Sequence, residues 1–399
     1  MKGLLTWLSR RRYPYQPLIT VRISRRHLIH NLHQFMEIAP HHAVAPVLKS
    51  NAYGHGLIEV AKILEMERRR PTKAASSIPF FVIDSYFEAL ALRAAGIKTP
   101  LLVIGYTRPE IIAHARLRGV SFAVTSMDTL RHVVNFQSSA WSVQSRRRIS
   151  VHLKIDTGMR RQGILPEELS QLEEILGVNP SILITGICSH LSDADSPDPS
   201  HTESQLHVWN DLVKKLSQSY PSIEHIHISN TDGHRFAADA VATVSRLGIG
   251  LYGIVGDISL GTHLQLKPVM RMETIITGVK KLKRDETVGY SNTFKATSDM
   301  RIATVPVGYY EGIDRRLSNV GFVLVGPEDV PCRILGRVSM NITVIDVTHV
   351  PDAKVGTHVT AISDDPEEQN SIVSMARTCK TIPYEIAVHV PGQLKRIVT

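Results

Sequence analysis

Lys49 closes an apolar run, AVAPVL, and opens SNAYGHG, a loop of small and polar residues with a tyrosine and a histidine between two glycines. An ammonium group at the tip of a buried strand is placed to attack a carbonyl compound as an amine nucleophile. Other chemistry-bearing residues repeat this placement at the ends of short β-rich runs. Lys154 and Asp156 close SVHLKID, with Arg161 shortly after. His190 closes ICSH, Asn230 and Thr231 follow HIHIS, and Arg246, Gly248 and Ile249 lie in SRLGIG.

The elements that must position these residues recur at a regular beat. Strands are expected at Val44–Lys49, Pro79–Ile83, Leu101–Ile104, Ser121–Thr125, Ile149–Ile155, Ile182–Ser189, His225–Ser229 and Arg246–Tyr252. Helix-like segments separate most of them, among them LIEVAKILEMERRR, SYFEALALRAAG, PEELSQLEEILG and ESQLHVWNDLVKKLSQ. Strands alternating with helices predict the α/β class and a (β/α)8 TIM-type barrel, spanning residues 18–264. In this fold the active site lies at the C-terminal ends of the strands. The loops after the last two strands offer a hydroxyl and glycine N–H groups, donors that suit a phosphate. A lysine facing a phosphate site suits pyridoxal phosphate, whose aldehyde condenses with an amine. Beyond about residue 265 the texture changes to alternating runs such as ETIITGVKKL, RIATVPVGY and NITVIDVT, broken by Gly, Pro and Asp. Residues 265–399 are expected to form a mostly β domain without helices. Residues 1–17 are expected to be a disordered or surface-lying extension.

Bulk properties exclude several classes. With 399 residues, 43% hydrophobic and 21% charged, the chain is globular in composition. The net charge of +9 comes from short, dispersed basic runs, without the interleaved aromatics of a nucleic-acid platform. Three scattered cysteines make neither a disulfide framework nor a metal cluster. No apolar run reaches the roughly 20 residues of a membrane span. The start, MKGLLTWLSRRRYPYQP, is a poor signal peptide. A reducing, cytoplasmic location is expected.

VLKSNAYGHG resembles the cofactor-lysine signature of the alanine racemases. LKIDTGMRRQG, SHLSDAD, SRLGIGLYG, VGYSNTF, VPVGYYEGIDRRLSN and GRVSMN resemble that family's later signatures, in its order, from about residue 18 to the end. The resemblance implies an isomerase, a homodimer whose barrel mouths are completed by the partner's β domain, pyridoxal 5'-phosphate as cofactor and no metal. It implies interconversion of L- and D-alanine, with D-alanine feeding peptidoglycan precursors. Removing the α-proton from one face and returning it on the other calls for two bases. By resemblance these are Lys49 and, from the other subunit, Tyr290. A phenol ordinarily ionises near a pH of about 10, so that role calls for a neighbouring cation, supplied by Arg161, which also contacts the substrate carboxylate. The resemblance places Tyr53, Asn230, Thr231, Gly248, Ile249 and Tyr384 around the cofactor's phosphate side, His190 against its ring and Arg246 at its pyridine nitrogen. His227 steadies Arg246. Lys154 matches a lysine that is carbamylated to orient Arg161; the alternative is an interior ion pair with Asp156. Tyr309 marks the substrate entrance, and Met340 contacts the substrate carboxylate through its backbone. The sequence departs from the family at Ser339, Asn341 and Glu311, where cysteine, aspartate and aspartate are usual.

Rival readings fit less well. GIGLYG has the spacing of a dinucleotide fingerprint but lies late in the chain, with LQLKPVMR where an acidic residue is required. A metal-dependent barrel hydrolase could use His152, His190, His225, His227 and a modified Lys154, but Arg161 and Arg246 would then crowd the metal with cations and Lys49 would be idle. A non-catalytic cofactor-binding barrel would lack VGYSNTF and GYYEG. A broader amino-acid racemase acting on serine or lysine is the remaining alternative.

Overall fold

The computed structural model describes residues 15–69, 78–138, 148–177, 182–254 and 264–399. After β1 (Thr20–Ile23) come eight strands: β2 (Ala43–Pro46), β3 (Phe81–Ile83), β4 (Leu101–Val103), β5 (Val120–Val124), β6 (Ile149–Lys154), β7 (Ile182–Cys188), β8 (His225–His227) and β9 (Val244–Leu247). β3 to β8 pair in sequential order as a parallel sheet, and β2 pairs in parallel with β9. A Val47–Val82 bridge joins β2 to β3. Thr243 N–H to Ile226 O and Arg246 N–H to Ser229 O join β9 to β8, which closes the ring. β3 and β4 are buried at every position, as expected where both faces of a parallel sheet are covered.

Helices clothe this barrel by burying one stripe each. In Ser200–Ser219, Leu206, Trp209, Val213 and Leu216 are buried at spacings of three and four, the period of an amphipathic helix. Each large apolar side chain so buried contributes roughly 1.5–3 kcal/mol. Trp209 also donates its Nε1–H to Val241 O at 3.0 Å, satisfying its one polar atom. Two expected elements differ. PEELSQLEEILG is a 3-10 turn, Pro166–Gln171, followed by a short helix, Leu172–Gly177. The last barrel strand stops at Leu247, and Ile249–Tyr252 is a 3-10 turn, because its glycines leave the strand path.

The barrel belongs to one compact unit, Arg25–Pro268; Val269–Thr399 forms a second, together with the described residues up to Ser24. The second unit holds a nine-stranded sheet whose neighbours run, in order, β11 (Gly278–Leu282), β14 (Met300–Val305), β17 (Thr343–Asp346), β16 (Val330–Leu335), β15 (Phe322–Val325), β18 (His358–Ile362), β10 (Met270–Ile275), β1 and β19 (Lys395–Val398). β10 alternates buried and part-exposed residues, the pattern of a sheet with one face in the core. The division differs from the expected 18–264 and 265–399 at both ends of the barrel unit: the later boundary falls after Pro268, and the described residues up to Ser24 join the second unit. Thr20–Ile23 pairs antiparallel with β10 and parallel with β19, with Val21 and Ile23 fully buried there. This strand was not among those expected, and its four residues carry no local sign of their partners. The second unit also contains two helices, Ile372–Cys379 and Pro383–Val388, where none was expected. Among the described residues no helix is long and apolar enough to cross a membrane. The expected extension, residues 1–17, lies almost wholly outside the described residues.

Candidate active site

Lys49 follows β2 on a backbone held from both sides. Val47 N–H donates to Leu247 O at 2.8 Å and Leu48 N–H to Val82 O at 2.7 Å. Beyond the lysine the chain turns left-handed: Ser50, Asn51, Ala52 and Tyr53 have φ of 55°, 56°, 53° and 52°. That conformation costs non-glycine residues roughly 1–2 kcal/mol each, and such strain persists only where the surroundings over-determine it. Glu88 Oε1 accepts the Ser50 N–H at 2.8 Å, and Asn51 Oδ1 accepts the Leu57 N–H at 2.9 Å. Glu88 Oε2 accepts the Asp84 N–H at 2.7 Å, and the Glu88 N–H donates to Ser85 Oγ at 3.2 Å, capping helix Tyr86–Ala94. One carboxylate thus ties the turn after Lys49 to the next strand's loop.

Arg246, in β9, is a buried hub. Nη1 donates to His227 Nδ1 at 2.7 Å and His227 O at 3.0 Å. Nη2 donates to Ser189 O at 2.8 Å, Ile228 O at 2.9 Å and His190 Nδ1 at 3.1 Å. Burial, followed by the charge of Arg246, pushes the pKa of both His190 and His227 well below the usual imidazole value, so both rings are neutral at pH 7.

Tyr53 and Thr231 meet at Gly248, with Ile249 buried beside it. Thr231 Oγ1 accepts the N–H groups of Gly248 and Gly250, each at 3.2 Å. A Cβ on Gly248 would lie 3.0 Å from Tyr53 Oη and 3.5 Å from Thr231 Oγ1, so only glycine leaves this corner open. Burial raises the Tyr53 pKa against the pull of Arg246; its hydroxyl keeps its proton and remains a donor. Asn230 is committed to the protein through its side chain, which accepts the Gly233 N–H at 2.8 Å and donates to Leu191 O at 3.5 Å.

Lys154 is buried at the end of β6 and donates from Nζ to Gln162 Oε1 at 2.8 Å. The ion pair with Asp156 weighed from sequence does not form. Asp156 lies past the strand end, where alternation stops, and its Oδ1 accepts the N–H groups of Gly158 and Arg160 at 2.9 and 3.1 Å. Burial lowers Lys154 to about 8, Cys188 opposes this, and Arg246, Arg161 and Lys49 reinforce it. The charges of Arg246, Lys154, Arg161 and Lys49 all add to the lowering of the His190 pKa. Arg161 itself is exposed.

The other four expected residues lie in the second unit. Tyr290 is 69% exposed in the turn of a hairpin formed by β12 (Thr287–Val288) and β13 (Phe294–Lys295). Tyr309 and Met340 sit on adjoining loops, both largely exposed. Tyr309 N–H donates to Ser339 O at 3.0 Å and Tyr310 N–H to Met340 O at 2.9 Å. Glu311 and Asn341, two of the family departures, hold the same loops: Asn341 Nδ2 donates to Glu311 Oε1 at 2.7 Å, and Glu311 Oε2 accepts the Gly308 N–H at 2.9 Å. Tyr384 is half-buried in helix Pro383–Val388. The sequence reading missed Glu88 and Gln162. Ser85 and Glu88 do show the S-x-x-E spacing of a capping box, but nothing local points from Glu88 to Ser50.

Residues 23–255 match the alanine racemase N-terminal domain, and residues 269–398 match the alanine racemase C-terminal domain. The chain belongs to the alanine racemase family. An alanine racemase of Syntrophobacter fumaroxidans is 34% identical over 367 residues, covering 92% of this chain and 93% of that one. The crystal structure of an alanine racemase from Streptomyces lavendulae superposes with a TM-score of 0.84 at 26% identity, covering 96% of this chain and 98% of that one. A histidine racemase from Leuconostoc mesenteroides has a TM-score of 0.83 at 24% identity, covering 97% and 99%, and shows the shared fold alone. The alanine racemase fold, a barrel followed by a mostly β domain, is the architecture described above.

Proposed function

We propose that this protein is a pyridoxal-phosphate-dependent alanine racemase that interconverts L- and D-alanine with two bases. The observation that carries the reading is the donor set of the barrel. The Tyr53 and Thr231 hydroxyls and the open Gly248 turn fit a phosphate, Arg246 and His190 fit a flat heteroaromatic ring, and Lys49 supplies an amine on a rigidly held turn. When bound, pyridoxal phosphate withdraws electrons from the α-carbon of the amino acid and acidifies its hydrogen. Lys49 takes or returns that proton on one face. Tyr290 of a second copy of the chain does so on the other. Arg246 can donate but not accept, so a pyridine nitrogen held against it would stay unprotonated, which would restrain side reactions. Tyr384 adds a hydroxyl to the phosphate grip. Arg161 holds the substrate carboxylate with the Met340 backbone, and Tyr309 narrows the entrance. With its pKa near 8, Lys154 keeps roughly a tenth of its amine neutral at pH 7, open to carbamylation by carbon dioxide; the resulting anion would orient Arg161. A homodimer in the cytoplasm, supplying D-alanine for peptidoglycan precursors, is the biological setting.

The deciding experiment is a racemisation assay over a panel of L-amino acids that includes alanine, serine and lysine. Wild type should act chiefly on alanine. Lys49→Ala should lose proton removal from D-alanine, and Tyr290→Phe from L-alanine, each followed by deuterium wash-in. Wash-in from both enantiomers unaffected by Tyr290→Phe would remove the tyrosine from the mechanism.

A further inference from the structure

We propose that His152 is a positioning residue of this site: by accepting a hydrogen bond from His227 it fixes the tautomer of that ring and, through it, the setting of Arg246. The proposal deepens the cofactor reading and rests on Arg246 serving the cofactor ring. Arg246 Nη1 lies 2.7 Å from His227 Nδ1, and a guanidinium only donates. His227 Nδ1 must therefore present its lone pair. A neutral ring then carries its hydrogen on Nε2, which lies 2.8 Å from His152 Nδ1. His152 Nδ1 accepts, so His152 carries its own hydrogen on Nε2. His190 Nδ1 accepts from Arg246 Nη2 at 3.1 Å and falls into the same tautomer. One buried arginine thus orders the protons of three imidazoles, and the reverse order would set N–H against N–H.

The fold builds a slot for this ring. β6 and β7 shift register between Val151 and His152, so that Val151 faces Ile184 while His152 faces Gly186. A Cβ on residue 186 would lie 2.6 Å from His152 Nδ1 and 2.7 Å from its Cε1. Phe80 packs its edge against the ring at 5.6 Å between centroids. Burial, with the charges of His225 and Arg246, holds His152 down at about 3, so it stays an acceptor across the working pH range.

The test is a long-range proton–nitrogen correlation spectrum of the histidine rings in 15N-labelled protein, with and without pyridoxal phosphate. His152, His190 and His227 should all be neutral and protonated at Nε2 from pH 6 to pH 8. His152→Asn keeps an acceptor near the Nδ1 position and should preserve the His227 signals and bind cofactor as wild type does. His152→Phe removes the acceptor; it should move the His227 signals, shift the visible absorption band of the bound cofactor and weaken cofactor binding roughly tenfold, the loss of one hydrogen bond to a charged network. Gly186→Ala crowds the ring without removing it and should resemble His152→Phe. A wild-type His227 protonated at Nδ1, or on both nitrogens, overturns the proposal, as does a folded His152→Phe with unchanged His227 signals and cofactor affinity. If His152→Phe does not fold, the wild-type tautomers and the Asn variant decide. A protein with the expected proton order that racemises nothing would overturn the proposed function and leave the role of His152 standing.

Discussion

Thr231 serves two backbone donors at once, accepting from Gly248 and Gly250 while its own hydroxyl hydrogen stays available to a ligand. Thr231→Val keeps the shape, strands both N–H groups and removes the donor. Cofactor affinity should fall at least about tenfold, measured by fluorescence titration of the cofactor-free protein, whereas Thr231→Ser should stay near wild type. Asn341 is a second case in which one atom decides. Its Nδ2–H to Glu311 joins two loops at 2.7 Å. Asn341→Asp would set two carboxylates against each other, raising the pKa of the pair in the folded state. The sign follows: stability is retained at low pH and lost as pH rises through the raised value. Urea unfolding should show Asn341→Asp destabilised by roughly 1–3 kcal/mol at pH 8 and close to wild type near pH 4.5.

Among the elements, the left-handed turn after Lys49 depends on a helix cap far away in sequence. Gln offers one carbonyl oxygen where Glu88 offers two acceptors, so Glu88→Gln must release either the Ser50 or the Asp84 N–H. The expected loss is about 1–3 kcal/mol of stability, with slower attachment of pyridoxal phosphate to Lys49, read from the growth of its visible absorbance. Unchanged attachment kinetics in a destabilised variant would mean that the turn holds itself without Glu88. Helix Tyr86–Ala94 was legible because Ser85 and Glu88 mark its start. The turn was not, because Ser50 and Ala52 do not favour positive φ, and a lone Asn51 that tolerates it does not announce four such residues in a row.

At the scale of the whole molecule, buried neutral histidines set the acid limit. Burial holds His152 at about 3 and His234 at about 4, and it pushes His190 and His227 well below 6.5. Once unfolded, each takes up a proton near 6.5. The unfolded state therefore binds more protons below that pH, and stability falls as pH drops from about 6.5 towards 4. Each such histidine adds about 1.4 kcal/mol per pH unit to the slope. Urea midpoints at pH 7, 6 and 5 should fall steeply, and a flat profile would mean these rings are already charged in the native state. The exposure of Tyr290, Tyr309, Tyr310, Met340 and Ile342 in the second unit suits the proposed dimer. Sedimentation should find a dimer, and charging that surface with Ile342→Glu should yield monomer and abolish racemisation.

The sequence alone determined that eight barrel strands alternate with helices, although not where the last of them ends, and which side chains stand near their ends, since both periodicity and strand termini are local properties. It also carried Lys49, Thr231 and Arg246 through their motifs. Only the tertiary structure decided that β1 joins the second unit, that Glu88 holds Ser50, that Lys154 turns to Gln162 rather than Asp156, and that His152 meets His227. Each of these is a contact between residues distant in sequence or past the end of a regular element. There the partner is chosen by packing and by the need to satisfy buried donors and acceptors, which no local pattern records.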